Sequence, residues 1–148
     1  MKTVGDILSS KNQPNNIIEG SAKVYDALVM MNSVNLSYLI VMEQGTFKGI
    51  FSERDYTRNV ILKGRTSDTA TVAEVMTSNL PTVGKYDTVE ACMHLLDLHK
   101  VRYLPVFMGA HFVGVVTLND VVRSVLQNKE DVFDELAGKL VDQDDRIF

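Results

Sequence analysis

Two short stretches of this chain set a hydroxyl and a carboxylate three residues apart at the end of an apolar run. Gly49-Ile50-Phe51-Ser52-Glu53-Arg54-Asp55 returns 65 positions later as Gly114-Val115-Val116-Thr117-Leu118-Asn119-Asp120. Each copy reads as a buried strand feeding the first turn of a helix. A helix start offers N–H groups without intrahelical partners and the positive end of a dipole, so it suits a phosphate. Ser52 and Thr117 could bind phosphate oxygens beside those N–H groups. One carboxylate can accept from both hydroxyls of a vicinal diol such as a ribose, and Asp55 and Asp120 fit that part. A purine needs a flat apolar slot with backbone groups to read its edge. The strand ends Ile17-Ile18 and Thr82-Val83 could provide one.

The same pattern has a local explanation. Ser or Thr at an N-cap and an acid at N3 can cap a helix reciprocally. Two details keep the ligand reading open. Asp reaches back less well than Glu or Gln, and both motifs follow a Gly–apolar–apolar strand end, where glycine lets a backbone or a ligand come close. Positive charge is unequally shared. Arg54 stands inside the first motif, where the second has Asn119. Arg58 and Arg123 lie one turn further on. Lys100 and Arg102 precede the Tyr103 strand, where the first copy has Asn35 and Ser37. Arginine suits forked phosphate contacts, although each cation reads equally as a solvated surface charge.

The elements that position these groups are themselves duplicated. Val24, Ala27, Leu28 and Met31 fall on one helical face, and Val89, Cys92, Met93 and Leu96 repeat the spacing. Asp87, with Glu90 three residues on, reads as the N-cap of the second of these helices. Tyr38 to Met42 and Phe47 to Ser52 form one predicted hairpin, and Tyr103 to Phe107 and Phe112 to Thr117 the other. Helices are expected over about Glu53 to Leu62 and Leu118 to Asn128. Each copy is thus β-α-β-β-α, in an α+β fold. Val4 to Leu8 also resembles Val72 to Met76, at an offset of 68. The repeats are placed at 1–65 and 66–128, with the stretch Lys63 to Thr71 linking them and a polar loop at Ser9 to Asn16. A tail at 129–148 carries Val132, Leu136 and Leu140 on one side of a possible helix, with Phe133 beside them and Asp142, Asp144 and Asp145 at its end. It is read as a helix packed on its own domain, or as a contact for a dimer or partner.

Bulk properties narrow the function. In 148 residues, two copies of about 65 would each be marginal alone, so they should share a core. A net charge of −4 argues against a nucleic-acid surface. No apolar run approaches the roughly 18 residues of a membrane span, and no signal peptide is visible. Cys92 alone cannot form an internal disulfide, so the cytoplasm is expected. Cys92 reads as a buried inert thiol and Met30-Met31 as core. His94, His99 and His111 are too scattered for a metal cluster. No nucleophile–base–orienter set is visible, so no catalytic residues are assigned and no enzyme is expected.

Taken together, the duplicated Gly–strand–hydroxyl–Asp unit, Val75-Met76-Thr77 and Arg102-Tyr103-Leu104-Pro105-Val106 resemble a stand-alone pair of cystathionine-β-synthase (CBS) domains, a Bateman module, over about Thr3 to Leu126. The resemblance implies two repeats related by a pseudo-twofold axis, with clefts between them that bind adenosine nucleotides such as AMP, ADP, ATP or NAD. It puts the ribose-binding acid on Asp55 and Asp120 and the hydroxyl on Ser52 and Thr117. The nucleotide-binding set is therefore expected among Ile18, Ser52, Arg54, Asp55, Arg58, Thr82, Val83, Lys100, Arg102, Tyr103, Pro105, Thr117, Asn119 and Asp120. Asn119 in place of arginine, and Ile40 in place of a proline like Pro105, make the two sites unequal. The implied role is a non-catalytic regulatory sensor, a homodimer acting on an unidentified partner. The alternative is a structural dimerisation or protein-interaction module with empty clefts.

Overall fold

Each sheet grows from a hairpin whose turn chemistry is local. Gln44 and Gly45 both adopt positive φ, 50° and 78°, between the paired Glu43 and Thr46. Such a two-residue turn matches the right-handed twist of its strands. In the second hairpin only Gly109, at φ 61°, is positive between Met108 and His111. The computed structural model describes residues 2–12 and 15–144, with the backbone alone at 130–136 and 139–144. Strands β2 (Tyr38–Glu43) and β3 (Thr46–Ser52) are antiparallel, and β1 (Ile17–Ile18) joins β2 in parallel. Strands β4 (Val83–Gly84), β5 (Tyr103–Met108) and β6 (His111–Thr117) repeat that order. Both hairpins carry a register shift at the same place, Val41/Met42 and Val106/Phe107. The fold is mixed α+β, with two three-stranded sheets.

Helices α2 (Val24–Val34) and α5 (Val89–His99) bury the stripes their spacing dictates: Val24, Ala27 and Met31, and Val89, Cys92 and Leu96. Each ends on a left-handed residue, Asn35 at φ 55° and Lys100 at φ 54°, whose N–H returns to the helix's last turn. The N-cap of α5 is Thr88, whose hydroxyl accepts from the Ala91 N–H, and not Asp87. Asp87 instead accepts from the Gly84 N–H at 2.7 Å and closes the β4–α5 turn.

The chain packs as two compact units that do not coincide with the sequence repeats. One is Lys11–Pro81; the other is Met1–Ser10 with Thr82–Phe148. The units have traded their leading helices. Helix α1 (Val4–Ser10) sets Val4 and Ile7 in a core with Val83, Cys92, Leu104 and Val116. Helix α4 (Val72–Val75) sets Val72 and Val75 in a core with Val24, Leu39, Phe51 and Val60. Both dock through the same main-chain bonds. Val4 and Gly5 donate to Asp87 and Lys85, and Val72 and Ala73 donate to Ala22 and Gly20. The leading helices add Val4 and Ile7 to one core and Val72 and Val75 to the other, and full burial of an aliphatic side chain contributes about 1.5–3 kcal/mol.

Three helical expectations change. A leading helix precedes each β-α-β-β-α set, and the expected polar loop begins after Ser10. The helix expected over Glu53 to Leu62 is a short α3 (Glu53–Asp55) that widens into a π-helical turn at Tyr56–Ile61, where Leu62 N–H reaches Thr57 O at 3.0 Å. That turn keeps Val60 fully buried while Ile61 and Leu62 face outward. Helix α6 runs unbroken from Leu118 to Asp144, because no proline or glycine interrupts it before the exposed Gly138. The side chains of Val132, Phe133, Leu136, Leu140, Asp142 and Asp144 lie outside the described ones, and Asp145 outside the described residues.

Candidate functional site

At the end of β3 the chain turns from strand to helix, and Ser52 sits in extended geometry as the N-cap of α3. Its N–H donates to Asp55 Oδ2 at 2.9 Å and its hydroxyl to the same oxygen at 3.0 Å, while the Asp55 N–H points at Ser52 Oγ at 3.2 Å. The Glu53 N–H is taken by the Ser37 carbonyl at 3.0 Å. Asp55 is 7 % exposed, and its second oxygen, Oδ1, accepts from the Thr77 hydroxyl at 2.6 Å.

The end of β6 repeats the cap. Thr117 N–H donates to Asp120 Oδ2 at 2.9 Å, and Asp120 N–H to Thr117 Oγ1 at 3.1 Å. Leu118 N–H is taken by the Arg102 carbonyl at 2.8 Å. Asp120 is as buried as Asp55, but its Oδ1 faces Arg123 of its own helix at 3.6 Å. Both motifs are therefore capping boxes, and the helix-start N–H groups named here have partners within the chain. A ligand at either motif must exchange with these partners.

Capping boxes of this kind occur twice more, at Thr3/Asp6 and Thr71/Glu74. Those acids are solvated, and hydrogen bonds from Thr3 and Thr71 hold both carboxyls below their ordinary pKa values. The pair at Asp55 and Asp120 differs in being buried at a strand end. A carboxylate kept out of water with its hydrogen-bond partners in place is a strong, oriented acceptor.

The remaining expected residues are distributed less tidily. Ile18 and Val83 turn into their own cores, and the outward side chains at these strand ends are Ile17 and Thr82. Arg54, Arg58, Arg102 and Asn119 are exposed, Tyr103 is half-buried, and Pro105 is buried opposite Val115. Among the described residues no ion pair joins Asp55 to Arg58 as Arg123 joins Asp120. Lys100 pairs with Asp97 at 3.1 Å and lines an apolar groove of about 400 Å³ between α5 and α6, with Met93, Leu96, Leu118, Val122 and Leu126. Cys92 is buried and its thiol is pushed up to about 11 by desolvation, then by the Asp87 charge, as an inert core thiol should be. Met31 is core and Met30 packs on it. No group of three metal-ligating side chains exists among the described residues. No helix among them is long and apolar enough to cross a membrane.

Thr77 was given no role from its residue type. A signal for it existed in Gly49. A Cβ there would lie 2.6 Å from the Thr77 carbonyl oxygen, so glycine marks the close approach of a second backbone. Asn16 is also new: it is 2 % exposed and its Nδ2 has no partner among the described residues.

The CBS-domain family model matches residues 4–61 and 72–127. The CBS domain-containing protein CBSX3, mitochondrial, of Arabidopsis thaliana is 32 % identical over 146 residues, which cover 90 % of this chain and 69 % of that protein. A solved CBS-domain protein of Burkholderia ambifaria MC40-6, associated with signal transduction, is 32 % identical with a TM-score of 0.79, over 85 % of this chain and 95 % of that one. A hexameric CBS-CP12 protein from bloom-forming cyanobacteria shares the fold at 24 % identity and a TM-score of 0.70, over 96 % of this chain and 88 % of that one.

Proposed function

This chain belongs to the CBS-domain family, and from that footing we propose a non-catalytic regulatory sensor that binds an adenosine nucleotide, AMP, ADP, ATP or NAD, at its strand-to-helix junctions. One observation carries the reading. A buried carboxylate stands twice at a strand end, with one oxygen committed to the cap and the other facing a replaceable donor: the Thr77 hydroxyl at Asp55 and the Arg123 guanidinium at Asp120. A ribose diol can replace such a donor, because it supplies two O–H groups to an acceptor already held in orientation. Occupancy then shifts the chain between arrangements in proportion to its differential affinity for them. Calorimetric titration of AMP, ATP and NAD into the wild type, Asp55→Ala and Asp120→Ala tests this. Loss of heat in at least one variant is expected. Affinities unchanged in both would refute the assignment.

A second reading, self-association, is favoured by exposed apolar side chains. Tyr25, Val29, Ile61 and Leu62 stand on the helices of one unit, and Met93, Val122 and Leu126 beside the α5–α6 groove of the other. Contiguous apolar surface such as the α5–α6 groove marks interaction sites, and a homodimer would cover it. Light scattering of the wild type against Leu62→Glu and Leu126→Glu decides it: a dimer that becomes a monomer supports the interface, and an unchanged mass rejects it. The regulated partner would be a further protein.

A further inference from the structure

We infer that the Thr77 hydroxyl is a built-in competitor for the diol position on Asp55, and that a ligand seated there releases Thr77 and the chain it anchors. The inference rests on the adenylate reading of Asp55. Among the described residues the buried carboxylate has three donors. Two come from Ser52, whose N–H and hydroxyl belong to the cap of α3. The N–H cannot leave without unwinding the strand-to-helix turn, and the hydroxyl is held a second time because it also accepts from the Asp55 N–H. The third, Thr77 Oγ1 on Oδ1, comes from 22 residues away and is lost by rotation of one side chain. An incoming hydroxyl therefore displaces Thr77 more readily than Ser52.

Thr77 is also well placed to report the exchange. Helix α4 stops at Val75 because Met76 turns extended, at φ −67° and ψ 162°. Thr77 then forms a two-way main-chain bridge with Ile50 of β3, both bonds 2.9 Å. Beyond Thr77, the chain from Ser78 to Pro81 is the covalent connection into β4 of the other unit. The anchor on Asp55 thus holds the last bridged residue before that connection.

The second motif is built differently. At the offset relating the leading helices, Thr77 corresponds to Ser9. Helix α1 does not stop there; it runs on to Ser10, whose hydroxyl returns to Ile7 O at 3.0 Å, and Ser9 is exposed. Asp120 meets Arg123 of its own helix, so a ligand at that carboxylate exchanges with a side chain of α6.

The test is calorimetry with AMP as the probe on the full chain, comparing wild type, Thr77→Val, Thr77→Ser and Asp55→Ala, with hydrogen exchange on the wild type. Removing the competitor spares the ligand one charge-assisted bond to break, so Thr77→Val should bind AMP about tenfold tighter. Thr77→Ser should match the wild type, and Asp55→Ala should lose this binding. AMP should speed exchange at the Thr77 and Ile50 amides. Equal or weaker binding by Thr77→Val, with Asp55→Ala still defective, overturns the competitor and leaves the nucleotide reading standing. No binding of AMP, ATP or NAD to wild type and Thr77→Val removes both. If Thr77→Val does not fold, the exchange measurement decides, and unchanged or slowed exchange at Thr77 and Ile50 refutes the release.

Discussion

Gly49→Ala probes the contact on which the Asp55 site depends. Strand β3 and the segment after α4 approach so closely that a Cβ at position 49 would lie 2.6 Å from Thr77 O, 3.1 Å from Met76 Sδ and 3.3 Å from Ser78 Cα. The first and third are main-chain atoms, so the segment itself must move. Overpacking of this kind costs about 1–3 kcal/mol. Weakening the two Ile50–Thr77 bonds adds about 1 kcal/mol each if both are lost. The expected loss is about 2–4 kcal/mol, or roughly 5–15 °C in Tm for a chain of this size. Gly84→Ala is the matched control. Its Cβ would meet nothing closer than 3.8 Å, and its φ is not in the left-handed region, so it should equal or slightly exceed wild-type stability. Urea melts of the two variants side by side give the answer. A Gly49→Ala stability within about 0.5 kcal/mol of Gly84→Ala would refute the argument that glycine is there to admit the Thr77 backbone.

Three further outcomes follow from the same geometry. Asn16→Leu should leave stability unchanged or raise it by up to about 1 kcal/mol, because it removes a buried donor without a partner among the described residues, and a loss above about 1 kcal/mol in chemical denaturation would show that the amide is satisfied in solution. The Cys92 thiol, pushed up to about 11 by burial, should react with a disulfide reagent at pH 8 far more slowly in the folded chain than in urea; equal rates would contradict its core position. Asp6 and Glu74 titrate in the folded chain below their ordinary values of 3.8 and 4.5, so their contribution is present above those values and is lost as pH falls through the lower folded ones. Thr3→Val and Thr71→Val should flatten the fall in Tm between pH 5 and 3, and parallel slopes in variants and wild type would show that the caps do not set it.

Much of this fold is written in short-range pattern. The hairpins follow from continuous apolar runs around Gln44-Gly45 and Gly109-Ala110, and α2 and α5 from stripes at helical spacing, because turns and amphipathic faces depend on neighbours a few residues away. The same local logic places Ser52, Asp55, Thr117 and Asp120 at two strand-to-helix junctions, and leaves open whether each acid caps or binds. Lys100, Ile18 and Val83 show where that logic stops: each lies near a motif in sequence, yet one joins the α5–α6 groove and two join the cores. The residue types and their duplication determine which acids stand at the junctions. Tertiary packing alone decides that α1 and α4 change units and that Thr77 reaches Asp55 across 22 residues, because those choices are made by apolar area and close backbone contact between segments that share no local pattern.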